Sequence, residues 1–410
     1  MDSNLLMAQT IQIPLLHDHH THPLLYASLG SAVNLEPVRD KVQAIELLQQ
    51  RADEMDGKQA SDQVDLILAL GWRSNQFQFS QSDLESLPAL AVFNLSLHQL
   101  LVNASGRELL RERYGDDVDH IEDPHWYELN FRRVLNWFAN LHATPENLIA
   151  FYRHLESIGI FSAEELLLVD EDEINLFETA GLSDRTKFWA APDLYDQLSP
   201  DAKTAVSGLK LFTDGAIGAR TAALSRPYLD EPDNHGMLVY EDRALRETID
   251  SCLDRTPSLA IHAIGDRAIS QIIETLRDLS RERAVDGVRI EHAQLLYRDM
   301  AAAAKDLGLT LSMQPNFSND SIHYRDRLHP SDCQQNNPFR MLIDEIGFRP
   351  GGDLIFGSDG MPHGAANALQ QSLVTALPHQ RLALEELIEG YGGDDSKGTI
   401  ELDLELPETR

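Results

Sequence analysis

The sequence is short of cysteine, basic residues and long apolar runs, and each shortage excludes something. Two cysteines, Cys252 and Cys333, in 410 residues cannot build a disulfide framework and fit a reducing cytoplasm. Lys and Arg number 34 against 66 Asp and Glu, a formal charge of −32. Such a surface repels nucleic acid and anionic membranes, so neither is expected as a partner. No apolar stretch reaches the roughly 20 residues needed to cross a bilayer. The opening MDSNLLMAQT lacks the basic-then-apolar order of a secretory leader. The expectation is a soluble, cytoplasmic protein.

What is present is a large hydrophobic fraction, 42%, enough for a sizeable core. The length allows two or three ordinary domains, or one α/β barrel with insertions. Eight runs rich in Ile, Val and Leu end in polar residues or glycine: 11–22, 64–72, 89–98, 208–215, 259–266, 288–295, 309–316 and 354–360. Helix-compatible segments such as RAISQIIETLRDLSRERA and RDMAAAAKDLG separate most of them. Strands alternating with helices predict a single (β/α)8 TIM-type barrel over 1–410, with its chemistry at the C-terminal strand ends. Residues 104–207 break the rhythm, being acidic and helix-rich (PENLIAFYRHLESIG, SAEELLLVDEDEINLFETAG). They are expected to form an insertion after the third strand, capping one side of the site.

The first run carries HDHHTH, with four of the chain's 16 histidines in six positions. An H-x-H pair on a strand places both imidazoles on one face, where they can grip one ion. Two pairs compete, His17/His19 and His20/His22. The second lies nearer the strand's C-terminal end with Asp18 in phase, which favours it and turns His17 and His19 toward the helical layer or the strand edge. Other runs end in His98, Lys210 with Asp214, His262 with Asp266, Glu291 with His292, Gln314 and Asp359. Together they offer neutral nitrogen and anionic oxygen ligands suited to zinc or a similar divalent ion.

That order, H-x-H, Lys, His, His, Asp, resembles the amidohydrolase superfamily. GLKLFTDGAIGARTAAL, IHAIGDRAI, RIEHAQL, QPNF and GSDGMP are similar to the branch that includes N-substituted formamide deformylase, as are GWRSNQFQF and FNLSLHQLLVNASG. The resemblance spans most of residues 15–365. It implies that His20, His22 and Asp359 bind one metal and that His262 and His292 bind a second. It further implies that a carbamate on Lys210 bridges the two, giving one or two ions per chain. A salt bridge from Lys210 to Asp214 or Asp359 is the competing reading. The metal would activate water, and Asp359 would move its proton to the leaving nitrogen. His98, Asn103, Arg220 and Gln314 are candidate substrate contacts, unless they serve only to satisfy loop backbone groups.

The chain departs from this pattern at both ends. Relatives carry a longer segment before the H-x-H pair, which joins the C-terminal segment in a β-sandwich. Here nineteen residues precede His20, and GTIELDLELPETR alternates like one strand. The flanking sandwich is therefore expected to be largely missing, with a homo-oligomer or the acidic insertion covering the barrel. Asn316 stands where relatives often carry histidine. The expected activity is metal-dependent hydrolysis of a non-peptide C–N bond in a small-molecule substrate. An ester or lactone hydrolase with the same site, and a non-catalytic binding or scaffold descendant, are the alternatives.

Overall fold

The computed structural model describes residues 6–407, apart from residues 31, 57–64, 142, 257 and 376. The start of the expected strand at residue 64, the first five residues of the opening segment and residues 408–410 of the final one lie outside the described residues. The described residues form thirteen strands: β1 (Leu6–Thr21), β2 (Val33–Asn34), β3 (Ile67–Trp72), β4 (Leu90–Asn94), β5 (Leu100–Val102), β6 (Ile160–Glu165), β7 (Thr186–Ala190), β8 (Val206–Phe212), β9 (Leu259–Ala263), β10 (Val288–His292), β11 (Thr310–Met313), β12 (Leu354–Phe356) and β13 (Asp394–Pro407).

Nine of these make one sheet in the order β12-β11-β10-β9-β8-β7-β6-β1-β13. From β12 to β1 every neighbouring pair is parallel, and helices such as Asp266–Leu279 and Arg298–Asp306 supply the crossovers. The run curls until its ends meet. Asp359 N–H donates to the His20 carbonyl at 2.6 Å, and Asp18 accepts from the backbone N–H groups of Ser358 (2.9 Å) and His20 (3.1 Å). A Cβ on Gly357 would sit 2.4 Å from the His20 nitrogen, so only glycine lets β12 close this tightly on β1. The result is a barrel-like α/β fold with eight parallel strands.

Two expectations about order are corrected. The runs at 64–72 and 89–98 do form strands, but β3 and β4 lie in a separate four-stranded sheet, β2-β3-β4-β5. That sheet has its own small core, including Leu48, Ile67, Trp72 and Val92. The second and third places in the parallel run belong instead to β6 and β7, inside the 104–207 interval expected to be an insertion. The chain leaves the barrel earlier, between Thr21 and Ile160. Lys210, on β8, is still on the fourth strand.

Charge inside the sheet explains the misreading. Glu164 of β6 is buried and accepts from Arg289 Nη1 at 2.8 Å and Trp189 Nε1 at 2.7 Å, so IFSAEE does not look apolar although it is a core strand. Removing one partner of a buried ion pair is strongly destabilising, by about 3 kcal/mol. Glu164→Ala should therefore lower the urea midpoint markedly, and an unchanged midpoint would refute this role.

The final segment is a strand as expected. β13 runs antiparallel to the first half of β1, from Leu6↔Pro407 to Leu15↔Asp394, with Leu402 and Leu404 buried and Glu401, Asp403 and Glu405 exposed. Among the described residues, no helix is long and apolar enough to cross a membrane.

Candidate metal centre

At the C-terminal end of β1, His20 and His22 approach the loop that follows β12. Asp359 Oδ1 lies 3.7 Å from His20 Nε2 and 3.3 Å from His22 Nε2. One ligand atom from each of the three residues falls within 4.8 Å of the others. The carboxylate is presented by a strained backbone, with φ of 54° at Asp359, a conformation rare for non-glycine residues and concentrated at functional sites. The loop is pinned by Tyr26, whose hydroxyl donates to the Asp359 carbonyl at 2.9 Å, and by Asn316, whose Nδ2 donates to the Ser358 (2.8 Å) and Met361 (2.7 Å) carbonyls. Asn316 thus holds the loop that carries Asp359.

Behind the histidines stand two buried carboxylates. Glu291 bonds His20 Nδ1, and Glu165 Oε1 lies 3.6 Å from His22 Nδ1. The Glu291 carboxylate on one ring nitrogen orients the His20 imidazole and leaves the other nitrogen for an ion, whereas His22 Nδ1 has no hydrogen-bond partner. Burial, then the Lys210 charge, pushes His20 down to about 4. At His22 burial works the same way, but the Asp359 and Glu165 carboxylates beside the ring outweigh it and lift it to about 9. Burial would raise Asp359, yet His22, His20 and Lys210 hold it below the usual carboxylate range.

Lys210 is 2% exposed, and its Nζ has no hydrogen-bond partner. The competing reading, a salt bridge to Asp214 or Asp359, is not formed; the Asp214 carboxylate accepts from the backbone N–H groups of Ala223 (2.9 Å), Ile264 (3.0 Å) and Gly265 (2.8 Å). Burial pushes the ammonium down to about 8. An orphaned buried amine facing carboxylates and imidazoles fits a position completed by a further group.

His262 and His292 come to the same place. Their ring centroids are 4.5 Å apart, and His292 is 4.6 Å from His20. A φ of 68° at His292 breaks the strand's alternation. His292 Nδ1 meets Gln314 Oε1 at 2.6 Å, and His262 Nε2 lies 3.1 Å from the Gly215 carbonyl. Their ligand atoms are not grouped with the first three.

His17 and His19 do form a group, with Glu164. Their rings turn to the neighbouring strand β6. Both bond Glu164 Oε1, at 3.2 and 3.0 Å, and Lys187 Nζ reaches the same oxygen at 3.4 Å. A dication there would sit beside Lys187 and Arg289 on a carboxylate already shared by five donors, an arrangement that electrostatics disfavours. The Asp18 carboxylate, read as in phase with His20 and His22, turns to Ser358 instead. The register irregularity between Asp18 and Thr21 undoes simple alternation.

The four candidate substrate contacts separate. His98 lines the cavity of about 140 Å³ that His20, His22, His262, His292 and Asp359 share. Asn103 does not: it is the N-cap of the helix Ala104–Tyr114, accepting from Gly106 and Leu90 N–H and donating to three carbonyls. Arg220 pairs with Asp230 and Glu231 on a different groove. Gln314 is buried behind His292 rather than in the cavity wall. The sequence reading missed Glu165 and Glu128, both buried carboxylates on histidines of this wall; an acidic residue beside apolar ones in a strand was the only signal for Glu165.

A sequence profile described as "Amidohydrolase family" matches residues 147–394, more than half of the chain. The chain is 33% identical over 109 residues to the putative amidohydrolase YtcJ of Bacillus subtilis, covering 27% of this chain and 20% of that protein. It is 32% identical over 116 residues to LONG AFTER FAR-RED 3 of Arabidopsis thaliana, covering 27% and 19%. These matches span about a fifth of either relative. Its fold is similar to that of an uncharacterized metal-dependent hydrolase from Pyrococcus horikoshii, at a TM-score of 0.71 and 23% identity over 96% of this chain and 86% of that one. A second, from Pyrococcus furiosus, gives 0.66 and 22% over 96% and 87%. The profile match over the strands that carry Lys210, His262, His292 and Asp359 establishes that the chain belongs to the amidohydrolase family.

Proposed function

We propose that the chain is a metal-dependent hydrolase of small molecules that cleaves a non-peptide carbon–nitrogen bond. The observation that carries this reading is the convergence of His20, His22 and Asp359 beside the orphaned Lys210 amine. His20, His22 and Asp359 would hold one divalent ion, zinc by donor chemistry. His262 and His292 would hold a second, with Lys210 between them as a carbamate. A divalent ion supplies Lewis acidity and lowers the pKa of water toward ~7. Asp359 accepts the proton of the attacking water at Oδ1 and returns it to the leaving nitrogen as the C–N bond breaks. Glu291 orients His20, Glu165 lies beside His22, and Phe131, Phe212 and Phe317 line the same cavity. The amide class rests on the resemblance to the N-substituted formamide deformylase branch.

The test is metal content after dialysis, measured alongside hydrolysis of N-benzylformamide, with phenyl acetate as the ester control. Metal should collapse in His20→Ala and His22→Ala and survive in His17→Ala. The opposite ranking would overturn the assignment, and hydrolysis of the ester alone would move the reading to an esterase.

A further inference from the structure

The helix Pro124–Leu129 belongs to the excursion outside the barrel, yet two consecutive side chains from it grip the cavity wall. The Tyr127 hydroxyl donates to the Leu97 carbonyl at 2.6 Å, and both oxygens of Glu128 meet His98 Nδ1, at 2.9 and 3.0 Å. Leu97 has φ of 62°, so the turn that presents His98 is held in a conformation it would not adopt freely. Glu128 is 5% exposed and takes a second donor, Thr221 Oγ1, at 2.6 Å; that hydroxyl in turn accepts from Ala216 N–H at 3.0 Å. Gly215 leaves the room: a Cβ there would lie 2.5 Å from Glu128 Oε1 and 2.1 Å from Thr221 Oγ1. The His98 ring lies flat on Phe131, centroids 4.2 Å apart at 12°.

With both carboxylate oxygens on Nδ1, that nitrogen carries the hydrogen, and Nε2 is left with its lone pair. We propose that Glu128 is a positioning residue that fixes His98 in the Nδ1–H tautomer, so that Nε2 presents a hydrogen-bond acceptor to substrates bearing an N–H. Secondary amides meet that acceptor; fully substituted amides leave it unpaired. The substrate class rests on the hydrolase reading above, whereas the tautomer rests on the dyad's geometry alone.

Glu128→Gln tests it sharply. Thr221 still donates to one position, which draws the glutamine carbonyl toward it and turns the amide NH₂ toward His98 Nδ1. That nitrogen must then accept, and the ring switches to Nε2–H. Ring ¹⁵N spectra, with His98 assigned by its loss in His98→Gln, should show this switch in Glu128→Gln and not in Glu128→Asp. Wild type should favour N-benzylformamide over N-benzyl-N-methylformamide by about 100-fold or more in kcat/KM, since an unpaired buried acceptor is heavily penalised. In Glu128→Gln the ratio should fall below about tenfold with the unfolding midpoint retained, and Glu128→Asp should keep most of it. An unchanged tautomer, a preserved ratio, or equal losses in both variants tracking lost stability would overturn the proposal. If wild type cleaves neither formamide, the hydrolase reading fails, while the tautomer comparison still confirms or refutes the positioning role.

Discussion

Asp359→Asn should retain the fold and at least part of the metal while kcat falls by about 10³-fold or more, because an amide cannot accept the proton that the reaction must move. The geometry makes this substitution clean. The features that place residue 359 are backbone ones: its N–H bonds the His20 carbonyl and its carbonyl accepts from Tyr26. Asparagine also tolerates a positive φ better than most residues. The loss should therefore appear as chemistry rather than unfolding, with KM little changed. Near-normal turnover of a verified substrate would refute the role of Asp359.

The second large effect concerns Lys210. Lys210→Ala should lose activity and one of two bound metal ions per chain, and acetate or propionate should partly restore both by supplying bridging oxygens. The alternative, a lysine that serves an ion pair, expects lost stability, unchanged metal stoichiometry and no rescue. Since Nζ has no hydrogen-bond partner, truncation removes no buried hydrogen bond, so the unfolding midpoint of the metal-free protein should change little. Rescue by a small carboxylic acid, measured together with metal content, separates the two. One ion per chain with an unmodified lysine in protein prepared with bicarbonate would leave a mononuclear site held by His20, His22 and Asp359.

Much of this was legible in the sequence, for identifiable reasons. The later strands, β8 to β12, are short apolar runs ending in chemistry-bearing residues, so their order and the placing of Lys210, His262, His292 and Asp359 could be read directly. β6 and β7 could not. Glu164, Glu165 and Lys187 interrupt their apolar character, and the partners that satisfy Glu164 are remote in sequence, Trp189 on the neighbouring β7 and Arg289 on β10. β3 and β4 misled for the opposite reason: ILALGW and LAVFN are true buried strands, but nothing local says which sheet takes them. His20 and His22 were favoured for position near the strand end, and the fold brings them to Asp359. The supporting argument from Asp18 did not, because a register irregularity turns its carboxylate to Ser358. Asn103 looked like a site residue because polar side chains near strand ends do; its capping role depends on the helix that begins at Ala104. Glu128 sits in an acidic stretch where one more carboxylate draws no notice, and only the fold brings it to His98.

The most direct test of the central claim is anomalous diffraction at the zinc edge from crystals of the zinc-loaded protein. A peak is expected about 2.0–2.1 Å from His20 Nε2 and His22 Nε2, with Asp359 completing the contact. A peak among His17, His19 and Glu164 instead, or none at either place, would contradict it.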